Sequence, residues 1–256
     1  MSPKWKLLAV AVTATIAVGG GTLAYADSRA SWEEQFGGEA GSPPDASRWV
    51  QQTGCEWGNG KEEQCYTDGG RNAELDGEGN LVITAKAEEF NDRHFTSARL
   101  RATTINDPGT VEVRAKFSGY VAGAWPAIWT TDEANWPTNG ELDLMEIGGG
   151  GDWKPQYHSH FGTVDDHQQY GDFYPDDSDD PTWTDWHTYR VDYTNGADGE
   201  ASFYIDDKLA ATVPYQVPDD APAYVILNIA VGGWAGTPDP RLHNTMTVDY
   251  VKVTEA

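Results

Sequence analysis

The chain runs to 256 residues, with 41 acidic against 17 basic side chains and a formal net charge of −24. A charge this negative argues against DNA, RNA or an anionic membrane as the main partner, because each repels it. It weighs more softly against sulfated or uronate-rich polymers, since salt screens beyond about 8–10 Å. With 11 Trp and 39% hydrophobic residues the chain can fill a core, and an acidic, Trp-rich chain suits a neutral ligand with flat apolar faces.

Residues 1–26 stand apart. Lys4 and Lys6 precede an apolar run of about 13 residues, and Ala24-Tyr25-Ala26 offers small residues at a cleavage position. This is the pattern of a secretory signal peptide, and the run is shorter than the roughly 20 residues a spanning helix needs. Cleavage after Ala26 removes both lysines, takes the net charge to −26 and leaves residues 27–256 as one expected domain outside the cell. In that compartment Cys55 and Cys65, the two cysteines, are expected to form a disulfide. Two free thiols or half of a metal site are the other readings, and a metal would need two more soft ligands.

Beyond residue 27 no repeat or sustained helical period occurs. Short runs rich in β-branched and aromatic residues recur between Gly, Pro, Asn and Asp. In chain order they are LVITAKA from Leu81, TSARLRA from Thr96, TVEVRAKF from Thr110, WHTYRVDYT from Trp186, ASFYID from Ala201, AYVILNIAVGG from Ala223 and MTVDYVKV from Met246. TVEVRAKF is the clearest: Val111, Val113, Ala115 and Phe117 alternate with Glu112, Arg114 and Lys116, the period-2 mark of a half-buried strand. Asp206-Asp207 reads as a hairpin turn. Val164–Asp185 lacks strand alternation and is expected to be a solvated acidic loop. The class is all-β, a sandwich or barrel.

The segment WPTNGELDLMEIGGG places Glu141, Asp143 and Glu146 among Leu142, Leu144, Met145 and Ile147. Acids so close on an apolar strand are costly to bury. Glu141 and Asp143 share a face, whereas Glu146 has the wrong parity. One extra residue near Leu144-Met145, a β-bulge, returns Glu146 to that face. Two such glutamates suit a retaining glycosidase, one attacking the anomeric carbon and the other protonating the leaving oxygen. Asp143 between them would hydrogen-bond the attacking group and help hold a shared proton, because crowded like charges raise at least one pKa. Solvated acids on an edge strand are the plainer reading. In YHSHFG, His158 and His160 share a face; as metal ligands they lack a third partner.

ELDLMEIG resembles the bulged ExDxxE signature of glycoside hydrolase family 16, in the form of its laminarinase-like endo-β-1,3-glucanases. SWEEQF, WGNGKEEQCYTD, GTVEVRAKF, WPAIWT, DWHTYRVDY, ILNIAVGGW and MTVDYVKV resemble the family in the same order, over nearly all of residues 31–253. The resemblance implies a β-jelly-roll sandwich of concanavalin type, two antiparallel sheets with a concave sugar cleft. It implies Glu141 as nucleophile, Glu146 as acid/base and Asp143 as the assisting carboxylate. Trp125, Trp129 and Trp234 would meet sugar faces, with Trp129 readable also as core. Asn59, Arg99 and Asn228 would contact hydroxyls or shape the cleft, and His160 would hydrogen-bond near the acids. Asp249 matches a structural Ca²⁺ ligand, although Glu34-Gln35-Phe36 stands where many relatives carry a DEF triplet.

The expected activity is therefore retaining endo-hydrolysis of a neutral β-1,3-glucan, with no catalytic cofactor, no nucleic acid or membrane partner after cleavage, and the chain acting as a monomer. Mixed-linkage glucan, other β-glycans and transglycosylation are the alternatives within the fold. A non-catalytic lectin is the alternative from another class.

Overall fold

A computed structural model describes residues 31–58, 61–104, 108–148, 153–175 and 183–255; the expected signal peptide and Asn59 lie outside them. In chain order the strands are β1 (Trp32–Glu34), β2 (Trp49–Gln51), β3 (Gln64–Tyr66), β4 (Ala73–Leu75), β5 (Leu81–Phe90), β6 (Arg93–Ser97), β7 (Arg99–Ala102), β8 (Gly109–Phe117) and β9 (Ala124–Thr131). They continue as β10 (Glu141–Glu146), β11 (Gln156–Gly162), β12 (His167–Phe173), β13 (His187–Tyr193), β14 (Glu200–Ile205), β15 (Lys208–Pro214), β16 (Tyr224–Val231) and β17 (His243–Glu255). No helix among the described residues is long and apolar enough to cross a membrane.

Two sheets face each other as a jelly-roll sandwich. Seven strands form one sheet in the order β12-β11-β10-β9-β16-β7-β2. The other follows β15-β14-β13-β8-β17-β5-β6-β3, with β1 added on β17 and β4 on β5. Alternation decides which side chains enter the space between them. On β8, Val111, Val113, Ala115 and Phe117 are buried, while Arg114 and Lys116 point outward and both lie over the Trp186 ring. On β16 the inward set is Val225, Leu227, Ile229 and Val231. Tyr157 of β11 stacks on Phe203 of β14 at 5.0 Å, tying the sheets together. Each such aliphatic or aromatic side chain contributes about 1.5–3 kcal/mol by leaving water.

The turn at Asp206-Asp207 is as expected: both residues have positive φ, 47° and 62°, the backbone that a two-residue hairpin between right-twisted strands requires. The acidic stretch is a correction. Part of it, β12, pairs with β11 along its whole length, from Gln156 opposite Phe173 to Gly162 opposite His167. It is an edge strand, largely exposed on both faces. It therefore has no buried face to impose an apolar–polar alternation, and backbone pairing alone places it in the sheet.

Candidate active site

The face of the seven-stranded sheet turned away from the core carries the three acids, and a bulge puts them there. Asp143 lies opposite Trp129 and Glu146 opposite Ala127, so three steps on β10 match two on β9. The same mismatch occurs against β11, where Asp143 faces His158 and Glu146 faces Gln156. Leu142, Leu144, Met145 and Ile147 all enter the core. Two consecutive apolar residues thus point inward, and Glu146 returns to the face of Glu141 and Asp143.

Each carboxyl has distinct partners. Glu146 accepts a hydrogen bond from Trp125 Nε1 at 3.0 Å through one oxygen, and its other oxygen is 3.2 Å from His158 Nδ1. His160 Nε2 lies 3.3 Å from Asp143 Oδ2 and 3.9 Å from Glu141 Oε1. On its far side, His160 Nδ1 is 3.0 Å from His167 Nε2, with the two rings nearly parallel. Gly171 of β12 makes room for this row, since a side chain there would collide with the His158 ring and with the carbonyl of Tyr157.

The electrostatics follow from burial. Burial is the largest cause raising the Glu141 carboxyl well above its usual range, followed by the charge of Asp143; His160 opposes the shift and Glu146 adds to it. Asp143 is raised well above its range first by burial and then by Glu146. Burial, with His160 beside it, lowers His167 and favours its neutral form. Two neighbouring acids that both resist ionisation can keep a proton between them near neutral pH.

Trp125 and Trp129 share the cleft face, opposite Ala230 and Ile226 of β16, and neither joins the core cluster. Trp129 thus lies on the cleft side of the two placements open to it. Trp234 meets Trp125 edge-on at 5.3 Å and is 41% exposed; a side chain at Gly148 would strike its ring. Arg99 stacks between Trp57 and Trp129, 4.9 and 4.6 Å from their centroids, and is tied to Gln52 and Glu133. Asn228 accepts from Trp129 Nε1 at 2.7 Å and donates to the Tyr66 hydroxyl at 3.1 Å. Arg99 and Asn228 thus brace Trp129 and shape the cleft with polar groups that already have partners. The three acids, Trp125, Trp129, Arg99 and Asn228 together line a cavity of about 130 Å³. A larger hollow of about 830 Å³ lies beside Cys55, and three of its charged groups, Arg71, Lys86 and Glu88, pair with one another.

Residues that the sequence reading did not assign to the site are also present. His158 was visible only as a partner of His160 by parity; its contact with Glu146 depends on which strand lies beside β10. Glu62, which accepts from Gln64 at 2.6 Å and from the Tyr66 hydroxyl at 3.2 Å, and His167 carried no local signal. Cys55 and Cys65 do form a disulfide. Asp249 occupies a bulge on β17 between Val248 and Tyr250, and its carboxylate pairs with the Arg114 guanidinium. Glu34 is turned to the backbone N–H of Phe36.

Comparison with known proteins agrees with this geometry. Residues 59–252 match the family model described as glycosyl hydrolases family 16. A glucan endo-1,3-beta-glucosidase of Cryptopygus antarcticus is 34% identical, over 86% of this chain and 90% of its own. A beta-glucanase of Rhodothermus marinus is 34% identical, over 87% and 83% respectively. Among solved structures, the LamAcat crystal structure from Zobellia galactanivorans superimposes with a TM-score of 0.75 at 28% identity, covering 90% of this chain and 99% of that one. The chain belongs to glycosyl hydrolases family 16.

Proposed function

We propose that this protein is a secreted, endo-acting hydrolase of β-1,3-linked glucan that works with retention of configuration. The observation that carries the reading is the bulge on β10, which gathers Glu141, Asp143 and Glu146 on one face of the sheet beside the indoles of Trp125 and Trp129. The names of the similar proteins supply the linkage. The composition of residues 1–26 and the Cys55–Cys65 bridge support an extracellular destination.

In this mechanism the pyranose at the cleavage point stacks against indole, and its anomeric carbon lies over Glu141. Asp143, the most deeply buried of the three acids, holds the shared proton, which leaves Glu141 ionised and able to attack. The C1–O glycosidic bond breaks as the Glu141–C1 bond forms, and Glu146 gives its proton to the departing oxygen. Water then enters, gives a proton to Glu146 and attacks C1, releasing Glu141 and the sugar with its original anomeric configuration. Trp125 and His158 orient the Glu146 carboxyl at each stage.

The test is reducing-sugar release from laminarin by the wild type and by Glu141→Gln, with the anomer of the fresh product read by NMR. Release of β-anomer by the wild type and none by the variant is the expected result. Binding of laminarin without release defeats the enzymatic reading and leaves a lectin. Preferential cleavage of barley glucan or agarose overturns the linkage assignment, and fresh α-anomer overturns retention.

A further inference from the structure

The cleft contains a donor set that sugar chemistry alone does not require. His158 and His160 project from β11 on the same face, and Asp143 faces them across the ladder from β10. One nitrogen from each imidazole and one carboxylate oxygen all lie within 4.8 Å of one another. Asp143 is almost wholly buried, and its Oδ2 accepts no hydrogen bond although it is aimed at this cluster. The two imidazoles are only 12% and 13% exposed and lie against the acids that line the cleft. His160 already spends Nδ1 on His167 and leaves Nε2 directed at Asp143. A ring nitrogen fixed from behind in this way is how metal-bound histidines are commonly oriented.

We propose that His158, His160 and Asp143 bind a borderline divalent transition-metal ion, zinc or copper, and that the bound ion inhibits the enzyme. Two imidazoles and one carboxylate suit zinc or copper, whereas calcium and magnesium prefer shells made wholly of oxygen. Ligand bonds of about 2.0–2.2 Å allow donors on one ion to be at most about 4 Å apart. In the tetrahedral arrangement zinc prefers, such donors are about 3.4 Å apart, so the cluster closes by up to about 1.4 Å on binding, within reach of side-chain rotations. The dication also sits among three acidic side chains, so local charge favours its entry. Binding takes Asp143 out of its role beside Glu141 and draws His158 away from Glu146. Glucan and metal then compete for one cleft. The binding half of the proposal stands on the donor geometry; the inhibition half rests on the hydrolase reading above.

The experiment is titration calorimetry of the tag-free chain with zinc chloride in a non-chelating buffer, run beside laminarin hydrolysis. One zinc per chain is expected, with affinity reduced at least about tenfold in each of His158→Gln and His160→Gln and unchanged in His94→Ala. Calcium and magnesium chlorides should produce no competing heat. Because a variant could fold poorly, cobalt is added to the wild type as a second readout. Intense visible absorption from a low-coordinate, nitrogen-ligated ion is expected, and laminarin oligosaccharides should quench it. Absence of zinc heat, zinc affinity equal in both variants and the wild type, loss of binding in His94→Ala, or only the pale spectrum of hydrated cobalt each overturns the site. Zinc bound as described by a chain that releases no sugar would sink the hydrolase reading and leave the metal site standing. Hydrolysis without zinc binding would do the reverse.

Discussion

Trp125 donates its indole N–H to Glu146 at 3.0 Å, while the same ring meets Trp234 edge-on. One side chain thus joins the cleft wall to the proposed acid/base. A hydrogen bond to a charged group contributes about 1.5–3 kcal/mol, or roughly 10–100-fold in rate if it is felt mainly in the transition state. Trp125→Phe keeps an aromatic face and loses only the donor. Its kcat on laminarin is expected to fall by that factor with a smaller change in KM. A change confined to KM would show that Trp125 serves only as a stacking surface.

Glu146→Gln removes the proposed proton donor and leaves Glu141 in place. General acid catalysis is worth about 10²–10⁴-fold, so hydrolysis of laminarin should drop by that amount. An aryl β-glucan oligosaccharide whose phenol leaves without protonation should lose far less in its first step. Rates measured on both substrates decide the assignment, and equal losses would place the acid elsewhere.

Burial and Glu146 raise Asp143 well above the usual carboxylate range, and burial with Asp143 does the same to Glu141. A carboxyl so shifted holds its proton more tightly folded than unfolded. Its contribution to stability is therefore complete below its unfolded pKa of about 4 and is lost as pH rises through the folded value. Asp143→Asn removes this cost at neutral and alkaline pH. Thermal melts should show the variant ahead of the wild type at pH 8, with the gap shrinking toward pH 4. A gap that widens on acidification would contradict the shift. Stability gained at the expense of turnover is a common trade at active sites.

Arg114 holds Asp249 where the family resemblance suggested calcium, and it also covers Trp186 at 4.7 Å. EDTA should leave Tm unchanged, whereas Arg114→Ala should lower it through lost packing more than through the ion pair, which is partly exposed. A Tm that drops on chelation and recovers with added calcium would place the metal at Asp249.

Strand parity was legible where one face is buried and the other is not: β8 alternates in the structure as it does in the sequence. The need for a bulge was legible too, because Glu146 lay one residue out of phase with Glu141 and Asp143. The three-residue strands β1 to β4 are too short for any period to appear, and β12 is exposed on both faces. Partners distant in the chain left no local trace. Arg114 and Asp249 are separated by 135 positions, and Asn228 reaches Tyr66 across 162. A sequence names the acids readily, but the residues that brace them depend on strand neighbours.

The bulge has a consequence for how this strand can change length. Elsewhere in the sheet, removing one residue would turn every side chain beyond it to the opposite face. On β10 the loss of either Leu144 or Met145 would leave acid, apolar, acid, apolar, acid: a plain alternation with all three carboxyls still facing the cleft. The strand at the centre of the chemistry can thus lose a single residue without inversion. Two lengths of the same motif, one regular and one kinked, can therefore present the same three groups to a sugar.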